Sequence, residues 1–315
     1  MPTIIPGLLV AATALLVLAA GWRLLSPQNS ATGGIVALLL FLLHPAFLST
    51  VMTSSPWDSL FVMLFVTAWL WMEHWSLFMR SWVLAGLLSI GLWIGSPFVL
   101  WGLVAMVPWV LFNRRPWMAV VSLLTVLIGG LAIFAVTWGG AWFFTPEIGR
   151  PLFASWIRWG GLQVPPSVSL PWFLLAAGVV LEQGQEMVTQ RRADATVFAA
   201  MLLMATALFA SSSMTLALIA LSSPLIAQTL ARREFLYLRR VRWIAAATFV
   251  LSVALSYALR REAWMVSGMA MFVMGIAARL IYQRSRLSQF QLGEAVCVGA
   301  FLAETVGTHL HLFPR

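Results

Sequence analysis

Lysine is absent from this chain, and charge of either sign is scarce. All 19 basic residues are Arg, acidic residues number 10, aspartate occurs only as Asp58 and Asp194, and 9% of the 315 residues are charged. An ordinary soluble domain carries about a quarter charged residues, so this composition excludes that class. Cys297 is the single cysteine and lies in an apolar run, so no disulfide forms within the chain. There is no P-loop, no GxGxxG after a strand, no HExxH and no CxxC. The residues therefore supply no self-sufficient active site, and no metal or cofactor is expected.

What the chain has instead is apolar length. Residues of hydrophobic type make up 61% of it, in runs long enough to cross a bilayer, broken by short polar or Arg-bearing segments. Inside lipid every backbone polar group must be satisfied locally, and the runs lack the period-two alternation of barrel strands. The expectation is an all-α, polytopic membrane helix bundle forming one transmembrane domain over residues 1–315. Twelve spans are expected, near 4–24, 32–50, 57–78, 82–95, 97–112, 117–138, 170–183, 196–211, 213–230, 243–259, 263–281 and 290–308.

The formal net charge of +9 reads as topology rather than as a nucleic-acid patch, because the arginines sit in the breaks. The first positive charge, Arg23, follows the first apolar run, which has no basic leader and reads as a retained span with its N-terminus outside. Alternating the spans from there puts fourteen arginines on the inner side and five on the outer, consistent with the positive-inside rule. The outer five are Arg150, Arg158, Arg260, Arg261 and Arg315.

The long outer break, 139–169, carries Leu152, Phe153, Trp156 and Trp159 near one face of a short helix, with Arg150 and Arg158 beside them. This is the pattern of an interfacial helix. It serves as an aromatic anchor or as a guide for an anionic lipid-linked substrate. Arg260 and Arg261 either hold a lipid phosphate or pair with Glu262.

Asp58 is the sharpest single residue. Ser55-Pro56-Trp57-Asp58 opens an apolar run and fits a capping box, with Ser55 as N-cap, Pro56 at the first helical position and Asp58 at the third. The same carboxylate, at a membrane edge, is also a candidate catalytic group. Glu294 and Glu304 share the last run but point about 80° apart and sit about 15 Å apart along a helix, so they form no acid/base pair. Glu294 reads as a helix-dipole partner, and Glu304 as the better functional candidate or an interhelical hydrogen-bond partner. His309 and His311 read as solvated end residues rather than metal ligands, and Glu73, His74, Glu182 and Glu186 as solvated residues at inner span ends. Gly91 and Gly95, with Ala85 and Gly86, form a small-residue face for close helix packing.

The order of these segments resembles the GT-C superfamily of membrane glycosyltransferases, in its protein-O-mannosyltransferase and aminoarabinose-transferase branch. Thr32 to Leu64, with His44-Pro45 and Asp58, is similar to that family's apolar span, proline, and Asp-opened next span. Residues Ala85 to Leu92 (AGLLSIGL) are similar to its AGLLLGLA-type run, and Phe209 to Pro224 (FASSSMTLALIALSSP) to a later segment. The resemblance implies a bacterial cytoplasmic (inner) membrane location and a sugar donor carried on polyprenyl phosphate.

The departures are as specific as the matches. The family's first span and acidic catalytic loop have no counterpart here, and its lysine after the AGLLLGLA run is Ser96. Its later Lys and Tyr fall at Met214 and Leu218. Glycosyl transfer needs a carboxylate to activate the acceptor and cations to stabilise the departing phosphate. The expectation is therefore a degenerate GT-C-like protein, acting as a structural or accessory subunit or as a lipid-binding scaffold. Its partners are then membrane lipids, a polyprenyl phosphate among them, or other membrane subunits, and not nucleic acid. The alternatives are a glycosyltransferase completed by a missing N-terminal segment or a partner chain, and a transporter.

Overall fold

The computed structural model describes residues 4–25, 30–53, 56–94, 102–103, 105–107, 111, 115–137, 168–190, 198–200, 202–203, 206, 214–232, 239–260, 262–283 and 288–310. Among these residues it is all-helical, with no strand. The α-helices among them are α1 (Ile4–Leu24), α2 (Ser30–Leu42), α3 (Phe47–Thr53), α4 (Pro56–Trp71), α5 (Leu77–Ile94), α6 (Pro116–Thr137), α7 (Leu170–Gln190), α8 (Thr215–Arg232), α9 (Arg239–Leu259), α10 (Ala263–Tyr282) and α11 (Gln289–His309). Among the described residues, four helices (α1, α6, α9 and α10) are long and apolar enough to cross a membrane. At 1.5 Å per residue, the 22 residues of α6 make about 33 Å, enough for a bilayer's hydrocarbon core. This is a helical membrane protein.

Most helix edges fall where the polar breaks put them, but two expected spans are divided. The run 32–50 is broken: α2 ends at Leu42 and the seven-residue α3 starts at Phe47. Pro45 explains this, since it offers no N–H and disfavours helical geometry at His44. His44 holds the turn between the two helices, its Nδ1 accepting the Ala46 N–H at 3.1 Å and its carbonyl the Phe47 N–H at 2.9 Å. The run 57–78 likewise stops at Trp71, followed by a 3₁₀ turn, Met72–His74.

At the centre stands α8. Every residue from Thr215 to Leu230 is buried, the signature of a helix surrounded by others. It packs against α1, α2, α3, α4 and α7. Pro224 withholds one backbone donor inside it. The hydroxyls of the two preceding serines bond back to the helix, Ser222 to the Leu218 carbonyl at 2.7 Å and Ser223 to the Ile219 carbonyl at 2.6 Å. On one side α1, α2 and α4 surround α8, and α5 with α6 attach through α4. On the other side α7 joins α8 to a group made of α9, α10 and α11.

Close approach of backbones sets two of these seams. A Cβ on Gly34 of α2 would lie 2.9 Å from the Leu18 carbonyl oxygen of α1, and one on Gly130 of α6 would lie 3.1 Å from the Ala85 carbonyl oxygen of α5. The small-residue contact on α5 is thus made by Ala85 against Gly129 and Gly130. Gly86, assigned to that face by spacing, has nothing within 4 Å of a Cβ, and Gly95 lies outside the described residues. A helix shows its neighbour only one stripe, and Gly86 is on another.

Contact registers give relative directions. Ser81 meets Ser122 at 2.6 Å while Ala85 and Leu88 meet Gly130, so α5 and α6 run parallel. Thr13 meets Ser59, Thr67 bonds the Leu16 carbonyl and Trp71 bonds the Ala19 carbonyl, so α1 and α4 are parallel too.

Candidate functional site

Two polar constellations lie at opposite ends of the bundle. At the His44 end, the fully buried imidazole stands edge-on to the ring of Trp172, centroids 5.1 Å apart and planes at 89°. Phe301 packs against both rings. With Nδ1 accepting from Ala46, a neutral ring carries its proton on Nε2, which has no hydrogen-bond partner among the described residues.

Trp172, in the first turn of α7, donates its indole N–H to Ser222 of α8 at 2.8 Å. Three residues earlier, the Ser169 hydroxyl donates to Glu304 of α11. Both groups are buried, with Glu304 3% exposed. Four elements (the α2–α3 break, α7, α8 and α11) are thereby tied together by aromatic packing and two interhelical hydrogen bonds.

The opposite end is built from charge. Arg23, at the end of α1, meets Glu73 at 3.3 Å and His74 Nε2 at 2.9 Å, and donates to the Leu70 carbonyl. Arg80 donates twice to the Met72 carbonyl, at 3.1 and 2.8 Å, with its guanidinium 4.7 Å above the Trp69 ring. Gln228 of α8 closes this end by donating to the Leu24 carbonyl at 3.1 Å. Glu73 and His74 are exposed, as expected, and are also partners of Arg23. Glu182 and Glu186 are half-buried within the last turns of α7, which runs to Gln190 rather than ending near 183.

Asp58 sits in the first turn of α4, where the motif predicts it, and is 6% exposed. Its neighbour Ser59 bonds the Pro56 carbonyl at 2.9 Å and faces Thr13 at 3.5 Å. Ser55, the expected cap partner, lies outside the described residues, as do Ser96, Arg150, Arg158, Arg261, His311, the segment 150–159 and most of 97–112 and 196–211.

Arg260 is described and exposed, with φ of 43° and its N–H on the Ser256 carbonyl at 3.1 Å. It closes α9 as a left-handed terminal residue, a position glycine usually takes. Among the described residues it makes no ion pair with Glu262. Nor does the fold bring it to Asp58: α9 packs chiefly on α11 and α10, and α4 on α1, α8 and α5.

Glu294 needs a correction. A capping box of Ser288 and Gln291 starts α11 at Gln289, which leaves no acidic residue in its first turn. Glu294 lies deeper, beyond reach of the helix terminus. His309 Nδ1 lies 2.8 Å from the Thr305 carbonyl, and no group of three or more metal-ligating side chains occurs among the described residues.

His44, Ser169 and Trp172 are the members of the buried constellation that spacing alone did not find. His44 was visible as a polar residue between two apolar runs beside a proline, but Ser169 is 135 positions from its partner. No protein-family model, no curated protein and no solved structure matches the chain.

Proposed function

We propose that this protein is a membrane scaffold: a GT-C-like bundle of twelve spans that serves as an accessory subunit and does not itself transfer sugar. The parallel courses of α5 and α6 support the span count, because a return crossing must lie between them and residues 97–112 supply an apolar run for it. The arginine distribution supports an N-terminus outside.

One observation carries the reading. Four polar contacts in the described core hold helix to helix: Ser169 to Glu304, Trp172 to Ser222, Ser81 to Ser122 and Gln228 to Leu24. Met214 and Leu218, at the positions where the resembling family carries Lys and Tyr, are 1% and 8% exposed and belong to the apolar core. A cation at either would be buried at high cost. Such an interior supports rigid presentation of helices, and among the described residues no arginine is buried at the His44 end to meet a departing phosphate. Fold alone does not fix function, so the test must be biochemical.

Extraction from native membranes in mild detergent provides it. A stoichiometric assembly larger than the 34.7 kDa chain is the expected result. A monodisperse monomer that turns over a polyprenyl-phosphate sugar would overturn the reading in favour of an active glycosyltransferase.

A further inference from the structure

The positive charge of the chain is gathered rather than spread. Residues 232–242 and 279–286 hold eight arginines against Glu234 alone, a net charge of +7 out of +9 for the whole chain. The positive-inside rule asks only that arginines lie on one side, not that they cluster. Of the eight, Arg239, Arg240, Arg242 and Arg279 are described and exposed. The first three open α9, and Arg279 stands in the last turn of α10. Both sites lie at the end of the bundle away from His44. A Cβ on Gly268, early in α10, would lie 3.8 Å from the side chain of Leu170, next to Ser169. From there α10 runs away from His44, and residues 260–262 join its start to the end of α9, so α9 begins at the far end.

At that same end Arg23 and Arg80 are occupied by the protein itself, Arg23 by Glu73 and His74 and Arg80 by the Met72 carbonyl and the Trp69 ring. Among the described residues, the four arginines of α9 and α10 make no ion pair and no side-chain hydrogen bond. Nor has α9 an acidic residue in its first turn. Its free N–H groups therefore add to the field of the arginines instead of offsetting it.

Position in the helix decides what these charges meet. Val241, Ile244 and Ala245 face the bundle, so Arg239, Arg242 and the exposed Trp243 share the outward face, three and four residues apart. Because α9 is long and apolar enough to cross a membrane from Arg239 onward, its first turn stands at the membrane edge. Trp243 lies about 6 Å further in, at the depth where indole rings settle between headgroups and acyl chains. A guanidinium fork matches the oxygens of a phosphate. A zwitterionic phospholipid would bring an ammonium against the same arginines, which repel it.

We propose that the start of α9 and the end of α10 bind anionic phospholipid headgroups, with Arg239, Arg240, Arg242 and Arg279 on the phosphates and Trp243 against the acyl boundary. The site is separate from the proposed scaffold role. Turnover of a sugar donor would sink the scaffold and leave the lipid site standing, and absence of a lipid preference would do the reverse.

The full chain is purified in detergent and offered equal amounts of phosphatidylglycerol and phosphatidylethanolamine with matched acyl chains. Lipid extracted from the washed protein is then quantified by mass spectrometry. Each arginine near an anionic headgroup contributes about fivefold, so the wild type is expected to prefer phosphatidylglycerol by about tenfold or more. The preference should fall toward parity in about 1 M salt. Replacing Arg239 and Arg242 together (Arg239→Gln with Arg242→Gln) should remove most of it at an unchanged unfolding midpoint. Arg279→Gln, on the other helix, should lower it about fivefold and carries the test if the double variant does not fold. Arg260→Gln, at the opposite end of α9, should leave it unchanged. Equal retention of both lipids by the wild type, or a preference that survives both the double variant and Arg279→Gln, would overturn the proposal. So would a preference that Arg260→Gln lowers as far as the double variant does. Displacement of the lipid by inorganic phosphate at constant ionic strength would also overturn it, by making a free anion the occupant.

Discussion

The two ends of the bundle solve the same problem with different chemistry. At the His44 end, Ser169, Trp172, Ser222 and Glu304 are almost wholly buried and bonded across helices. At the Arg23 end, the ion pair of Arg23 and Glu73 joins side chains that are 30% and 53% exposed. Buried polar groups are costly to leave unpaired, whereas half-exposed ion pairs contribute little and are screened by salt. The buried contacts of the His44 end should therefore matter more to the stability of the fold than the Arg23–Glu73 pair, which should tolerate change, whereas Arg80 and Gln228 at the same end are buried.

Substitutions can break that contrast. The largest effect is expected for Trp172→Ala, which removes a buried ring packed on His44 and Phe301 along with the bond to Ser222. A loss of about 3–5 kcal/mol is expected, read from unfolding in detergent. Glu304→Leu should cost about 1–2 kcal/mol by leaving Ser169 without its partner. Glu304→Gln, which still accepts from Ser169, should stay within about 0.5 kcal/mol of the wild type.

The smallest effect is expected for Arg23→Ala, at about 0.2–1 kcal/mol. It should shrink further in about 1 M salt, where charges are screened beyond roughly 3 Å. If Arg23→Ala destabilises more than Glu304→Leu, the ranking of the two ends is reversed.

Much of the helix pattern was legible in the sequence because lipid allows few options. The edges of α1, α6 and α10 follow directly from where apolar runs meet Arg, Pro or Glu. The break at His44-Pro45 was equally visible as a proline, yet the surrounding hydropathy concealed it, since α3 is apolar like α2. Glu294 was misread because it is the sixth residue of α11 from Gln289, past the first turn in which a carboxylate meets the helix terminus, and it is past that turn even for a start at 290. Ser169 illustrates the remaining limit: a lone serine ahead of a span says nothing until folding brings Glu304 to it.

Asp58 illustrates the same limit from the other direction. Its place in the first turn of α4 follows from Ser55-Pro56-Trp57-Asp58, and the carboxylate turns out to be buried. Burial at a helix start suits a group that serves the backbone.

The most direct test of the scaffold account is sugar transfer by the full chain in liposomes, with a polyprenyl-phosphate-linked sugar as donor, comparing the wild type with Asp58→Asn and Glu304→Gln. The account predicts no transfer by any of the three and unfolding midpoints that agree closely for the wild type and Glu304→Gln. Transfer by the wild type that Asp58→Asn abolishes, at an unchanged unfolding midpoint, would contradict it.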